Sequence, residues 1–234
     1  MFHFKQFSVD QTGCAMKINT DGVLLGALAE VDEPKAILDI GTGTGVMALM
    51  LAQRFEQAEV DAVEIDIEAA KTAERNFNAS PFNNRLKIYP ERFEDFFEQH
   101  PEKKYDLIVS NPPFHLNSLR SSDSGKATAR HTDRLFFEKL IQQTAQHLTN
   151  EGALWLVLPE EAATLIKPLA VEAGLHQSMQ IHIRSFAESK PHRFIVSYSK
   201  NARQFVEQDF VIYQSPKIYS TQYQAALKSF FTIF

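Results

Sequence analysis

Residues 110–114 read Ser-Asn-Pro-Pro-Phe. The side-chain oxygen of Asn111 can accept a hydrogen bond, and the backbone carbonyl of Pro112 supplies a second acceptor. Two acceptors side by side suit a planar amine. Each takes one N–H, and together they return electron density to a nitrogen whose lone pair is delocalised. Pro112 and Pro113 have no N–H and fix their own φ, so the turn is stiff and joins neither helix nor strand. Phe114 adds a flat apolar face on which a planar group can stack. A rigid loop whose ring fills a core gap would use the same residues, so the surroundings must decide.

A second cluster precedes it. Asp39-Ile40-Gly41-Thr42-Gly43-Thr44-Gly45 combines an acid with three glycines at alternate positions. Glycines let the chain turn tightly and let a ligand approach the backbone, and a helix starting beyond them leaves free N–H groups. The spacing is G-x-G-x-G, not the G-x-G-x-x-G of dinucleotide binding. Farther on, Val63-Glu64-Ile65-Asp66 places a carboxylate where it can accept from both hydroxyls of a ribose. Ile65 would then pack on the attached base. A ligand-free turn and a solvated charge are the bland alternatives; the pairing of the two clusters favours a nucleoside.

These clusters need elements to carry them. Ala36–Ile40, Glu59–Ile65, Leu86–Tyr89, Asp106–Ser110 and Ala153–Leu158 are short apolar runs of strand length. Helical patterns lie between them at Val46–Phe55 and Ile67–Asn78. Another runs from a cap at Thr132 to His147, with Leu135, Phe136, Leu140 and Ile141 at helical spacing. Alternating strands and helices imply right-handed βαβ units and a parallel sheet covered on both faces. Glu160–Ala173 reads as a helix stopped by Gly174 and kinked or shortened by Pro168. Apolar alternation at Met179, Ile181 and Ile183, then at Phe194, Val196 and Tyr198, predicts an antiparallel pair. A short strand near Phe210–Tyr213 and a helix near Thr221–Phe230 complete the chain.

The sequence has 234 residues, 44% hydrophobic and 23% charged, with formal net charge −5. That fits one folded domain and not a general nucleic-acid coat protein. Cys14 is the only cysteine, which excludes an internal disulfide and a cysteine-built zinc site. No apolar run approaches the ~20 residues of a membrane span, and the N-terminus lacks a signal pattern. The expectation is a cytoplasmic, metal-free monomer that does not contact a membrane.

Carried by these residues, the chain resembles class I S-adenosylmethionine-dependent methyltransferases. More narrowly it resembles the bacterial tRNA (adenine-N6)-methyltransferases that act beside the anticodon of valine tRNA. The narrowing residues are Phe4-Lys5-Gln6-Phe7, the run Gln11-Thr12-Gly13-Cys14-Ala15-Met16-Lys17-Ile18-Asn19-Thr20-Asp21-Gly22-Val23-Leu24-Leu25-Gly26-Ala27, and Ala129-Arg130-His131. The resemblance implies an α/β, Rossmann-like fold whose seven-stranded, mostly parallel sheet ends in a C-terminal antiparallel hairpin, with a short N-terminal extension. It implies one domain over 1–234: a cofactor-covering segment 1–35, a core 36–199 and an extension 200–234.

The implied cofactor is S-adenosylmethionine and the implied partner is tRNA. Asp39, Gly41, Gly43, Gly45, Glu64 and Ile65 would hold the cofactor. Lys17 and Asp21 would line its pocket from the N-terminal side, although Asp21 also reads as a cap for a helix Val23–Glu30. Many relatives place an acid after the third strand to meet the adenine amine; here Glu91, Arg92 and Phe93 occupy that stretch, and Glu91 is the nearest acid. Asn111, Pro112, Pro113 and Phe114 would form the catalytic turn. Arg130 and His131, at the end of a polar loop 116–132, would meet substrate or simply end the loop. Lys190 and Arg193, within an interval that also holds Arg184, His192, Lys200 and Arg203, would contact phosphate or form a solvated face. Phe2, Phe4 and Phe7 read as core or hairpin contacts. The same amine chemistry serves ribosomal-RNA guanine-N2 and protein-glutamine methyltransferases, though only 38 residues precede Asp39, too few for the helical domain of the latter. A non-catalytic cofactor-binding module is the remaining alternative.

Overall fold

The computed structural model describes residues 1–113 and 123–234, with side chains described for all of these except 123–133. A hairpin of β1 (Phe2–His3) and β2 (Ser8–Val9) leads to helix α1 (Thr20–Leu28). Phe4 and Phe7 are buried with stacked rings 4.4 Å apart, as hairpin and core contacts. Asn19 caps α1, its side chain accepting from the Gly22 N–H at 2.9 Å. The cap is thus not Asp21, which sits in the first turn. Asn is among the best capping residues, and its position leaves the Asp21 carboxylate for another partner.

From Ala36 onward strands and helices alternate. They are β3 (Ala36–Ile40), α2 (Val46–Arg54), β4 (Glu59–Val63), α3 (Ile67–Asn78), β5 (Leu86–Tyr89), α4 (Phe93–Gln99), β6 (Tyr105–Ser110), α5 (Asp123–His147) and β7 (Leu148–Leu158). There follow α6 (Glu160–Glu172), β8 (His176–Arg184), β9 (Arg193–Ser199), β10 (Val206–Val211), β11 (Tyr213–Ser215), β12 (Ile218–Tyr219) and α7 (Thr221–Leu227). The main sheet runs β5-β4-β3-β6-β7-β9-β8-β10. Only β9 is antiparallel to its neighbours, β7 and β8. One apolar layer packs α1, α2, α3 and α7 on one face, and a second packs α4, α5 and α6 on the other.

Two further expectations are corrected. Among the described residues the sheet has eight strands, not seven: β10 adds to β8 in parallel, from Val206↔Met179 to Val211↔Arg184. Its sequence hides this, because Phe210 alone of its six residues is buried, and the edge is held by backbone pairing instead of an apolar stripe. Helix α5 begins at Asp123, so Thr132 lies within it and is no cap. Ala127 and Ala129 favour helix without needing an apolar face. Helix α6 runs on through Pro168 to Glu172, so the proline does not shorten it. Pro168 is exposed, as is Thr164 four residues earlier, so the carbonyl deprived of its helical partner faces water.

Candidate active site

β3 is the first strand of the alternating series, and its two neighbours, β4 and β6, continue the chain in opposite directions across the sheet. Such a switch point opens a crevice at the carboxyl ends of the strands. Register makes this concrete. Ile40 lies opposite Ser110 on one side and Val63 on the other, so the residues that follow each strand converge. The Ser110 hydroxyl donates to the Ile40 carbonyl at 2.8 Å, and the Gly41 N–H donates to the Val63 carbonyl at 2.8 Å.

The crevice is a cavity of about 570 Å³, within the range usual for small-molecule sites. Gly41, Gly43, Glu64 and Ile65 line it, as do Asn111, Pro112 and Pro113, and also Glu91, Arg92 and Phe93. The expected nucleoside cluster and the expected amine-binding turn therefore share one wall. Glu64 is 8% exposed. Its Oε2 accepts from the Gly43 N–H at 2.8 Å and its Oε1 from the Asp66 N–H at 2.9 Å. Each oxygen keeps a second lone pair for a ligand hydroxyl. Ile65 is 61% exposed on the cavity wall, an apolar surface without a packed partner layer. The Asn111 Oδ1 is buried with no hydrogen-bond partner among the described residues. An unmet buried acceptor costs about 1–3 kcal/mol, which a ligand N–H would relieve.

Two of the loop residues expected to hold the cofactor, Asp39 and Gly45, do not line the cavity. Asp39 is wholly buried behind it; its Oδ2 accepts from the Thr42 hydroxyl at 2.6 Å and the Ala48 N–H at 3.2 Å. Burial pushes its carboxyl up to about 7, against those two hydrogen bonds, and the nearby Glu64 charge adds to the rise. Gly45 has φ +82° and packs on α3: a Cβ there would lie 2.5 Å from Phe77 Cε1. Gly41 (φ +73°) and Gly43 (φ +57°) instead face open space, with nothing among the described residues within 4 Å of the Cβ position.

The N-terminal residues divide likewise. Cys14, Ala15 and Met16 form part of the cavity wall, but neither Lys17 nor Asp21 does. The Lys17 ammonium donates to the Gln11 carbonyl at 2.6 Å. Asp21 Oδ2 accepts from Arg193 Nε at 2.7 Å, joining α1 to the start of β9. Glu91 accepts from Gln99 at 2.6 Å, Arg92 donates to Glu94 at 2.7 Å, and Phe93 meets Phe97 and Phe136 edge-on.

Phe114 lies outside the described residues. Arg130 and His131 fall within the span of α5, with side chains outside the described set. Of the expected basic surface, Arg184 pairs with Asp209 at 2.7 Å, Lys200 donates to the Leu148 carbonyl at 2.6 Å, and Arg203 donates to the Glu151 carbonyl at 2.9 Å. β10 brings Asp209 against β8, where it offsets the charge of Arg184. Lys190 stays exposed.

Sequence reasoning missed the wall formed by Leu135, Phe136 and Lys139 of α5. Leu135 is 45% exposed, whereas Phe137, Leu140 and Ile141 are buried. Leu135 lies two positions before Phe137 and so on another side of the helix; that offset from the Phe137–Leu140–Ile141 spacing is the signal that could have found it. Among the described residues no group of three or more His, Cys, Asp or Glu could hold a metal ion, and no helix is long and apolar enough to cross a membrane.

Known structures share this fold. A predicted O-methyltransferase from Agrobacterium tumefaciens superposes with TM-score 0.67 at 18% identity, covering 90% of this chain and 96% of its own. A ribosomal protein L11 methylase from Lactobacillus delbrueckii gives 0.58 at 18% identity, over 83% and 84%. At such identities the likeness speaks for the fold, and the fold is that of class I S-adenosylmethionine-dependent methyltransferases. Residues 18–167 match the family described as Methyltransferase small domain. A Pedobacter heparinus protein named tRNA1(Val) (adenine(37)-N6)-methyltransferase is 49% identical over 234 residues, spanning 100% of this chain and 98% of its own. A Bacteroides thetaiotaomicron protein of the same name is 38% identical over 231 residues, spanning 98% and 96%. The chain belongs to the Methyltransferase small domain family and, within it, groups with these tRNA1(Val) (adenine(37)-N6)-methyltransferases. S-adenosylmethionine is accordingly its methyl donor, and the cavity fits that molecule: two open glycine positions, a carboxylate with spare acceptor capacity and an exposed apolar side chain share its wall.

Proposed function

We propose that this protein methylates the exocyclic N6 amine of adenine 37 in tRNA1(Val). The carrying observation is the Asn111 oxygen, without a partner among the described residues and buried in a turn that lines the same cavity as Glu64 and the open glycines. The full-length likeness to enzymes bearing that name supports the choice of substrate.

In this reading Glu64 accepts from the two ribose hydroxyls, and Ile65 covers one face of the cofactor adenine. Gly41 and Gly43 let the amino-acid end lie against the backbone. When bound, the cofactor supplies a methyl group already activated on a sulfonium. Asn111 and the Pro112 carbonyl hold the two N–H bonds of the target amine and orient its nitrogen for in-line attack. As positive charge develops on that nitrogen, the two acceptors stabilise it, and the proton can leave to water afterwards. Phe114 provides the face on which the adenine stacks, and Lys190 meets phosphate. Asp39 and Gly45 act indirectly, shaping the loop that the cofactor touches. The reading implies a cytoplasmic monomer that needs no metal.

The test is incubation with labelled S-adenosylmethionine and total tRNA from a strain lacking this protein, followed by nucleoside analysis. Label in N6-methyladenosine from tRNA1(Val) is expected. Label in N2-methylguanosine, or in protein alone, would refute the reading.

A further inference from the structure

The edge of the sheet that carries the cavity continues well past it. β6, β8 and β10 all point the same way, so the loops that follow them emerge on one edge. Asn111 follows β6, Phe186 follows β8 and Tyr213 follows β10. The Tyr213 N–H donates to the Ser185 carbonyl at 2.9 Å, which fastens the last two of these loops together.

A ladder of rings climbs out of the core at this point. Tyr223 is buried at 4% exposure. Tyr219 stacks on it with centroids 4.6 Å apart and planes at 9°, and Tyr213 stacks on Tyr219 at 5.2 Å and 21°. Phe186 ends the series 5.7 Å from Tyr213, inclined at 36°, and is 37% exposed. None of the four lines the cavity, and the methyl-transfer chemistry above uses none of them. An exposed phenyl ring backed by further rings is the kind of platform on which an unpaired base stacks. Its surroundings suit the polyanion that carries such a base. Lys190 is exposed in the same loop and Lys217 at the turn between β11 and β12, with Glu188 as the opposing charge in the loop.

Spacing sets which base. β6 and β8 are separated by β7 and β9, that is, by three strand intervals, or ~14 Å at ~4.8 Å each. A single strand with bases ~3.4 Å apart when stacked, and farther when splayed, crosses that distance in about two to four nucleotides. We infer that Phe186, backed by Tyr213, stacks on an unpaired base of the RNA substrate about two to four nucleotides from the methylated adenine. This rests on the tRNA reading above, and it gives the eighth strand a purpose, since β10 brings Tyr213 behind Phe186.

The experiment uses the full-length protein, saturating S-adenosylmethionine and an anticodon stem-loop RNA. Phe186→Ala should raise the KM for RNA about 5- to 100-fold, the range for losing one base–aromatic stack. Turnover at saturating RNA, cofactor affinity and melting temperature should stay near those of the parent. Phe186→Trp should restore KM, whereas Phe186→Leu, apolar but not aromatic, should not. Removing the base at single positions around the loop should reveal one position that raises the parent's KM by a similar factor and adds nothing in Phe186→Ala. A KM within twofold of the parent, or base-removal effects that add to Phe186→Ala at every position, would overturn the inference. If the parent protein methylates this RNA normally, such a result leaves the functional reading standing. If the parent does not methylate it, that reading fails and the inference falls with it.

Discussion

Replacing Glu64 separates two roles that its geometry joins. Its carboxylate accepts from the Gly43 and Asp66 N–H groups, so Glu64→Ala strips a partner from both as well as from the proposed ribose. The two amides border an open cavity, where water can take the empty place, so the fold should lose no more than about 1–2 kcal/mol. Loss of the charged acceptor to ribose should cost about 1.5–3 kcal/mol of binding, or ~10- to 150-fold in Kd. Glu64→Gln is no gentle substitute. Its amide nitrogen must face either the Gly43 or the Asp66 N–H, donor against donor, so it should fall nearer to Ala than to the parent. Titration calorimetry with S-adenosylhomocysteine reads the affinity, and thermal melting of the ligand-free protein reads the fold. If the Kd of Glu64→Ala stays within twofold of the parent, the carboxylate serves only to hold the glycine loop, and the assignment of the ribose subsite is wrong.

Further outcomes follow from the same geometry. Asn111→Ala should slow single-turnover methyl transfer ~10²- to 10³-fold with cofactor affinity unchanged, by the scale of lost transition-state hydrogen bonds; a near-parental rate would make the turn structural. Gly45→Ala places a Cβ 2.5 Å from Phe77 Cε1 at φ +82°, so denaturant unfolding should show a loss of about 2–5 kcal/mol. Gly43→Ala, facing open space, should lose only about 1–2 kcal/mol of stability yet weaken cofactor binding markedly; the reverse ranking would contradict the packing described. Asp39, with its carboxyl pushed up to about 7 by burial, holds its proton in the folded state where the unfolded chain has released it. Its contribution to stability is therefore greatest below the unfolded value near ~3.9 and declines as pH rises to about 7, by up to ~4 kcal/mol. Melting curves of the parent against Asp39→Asn between pH 4 and 8 should diverge in that sense, and parallel curves would show that Asp39 does not titrate there.

Local pattern carried most of the frame. Ile67–Asn78 and Leu86–Tyr89 begin and end where periodicity and flanking turns predict. The alternation of strands and helices, with one hand of crossover, obliges the segments after β3, β4 and β6 to meet at one edge. That is why Gly41, Glu64 and Asn111 could be recognised as one site before any distance was known. A reversal at Met179–Ile183 and Phe194–Tyr198 was legible because strands joined without a helix must pair antiparallel.

Contacts between distant residues were another matter. Asp21 and Arg193 are 172 positions apart, and nothing in the neighbourhood of either foretells their 2.7 Å bond. Their ion pair takes up both a residue expected against the cofactor and one expected against phosphate. Gly41, Gly43 and Gly45 look alike in the chain, yet two face a cavity and the third is pressed against Phe77. Leu135 stands only two positions before the buried Phe137, yet it lines the cavity. β10 carries polar residues outward and joins the sheet through main-chain bonds, which any sequence can make. Periodicity, caps and turn residues act over a few positions and so can be read from the chain. Which side chain meets which across the fold depends on how whole layers pack, and that only the assembled structure decides.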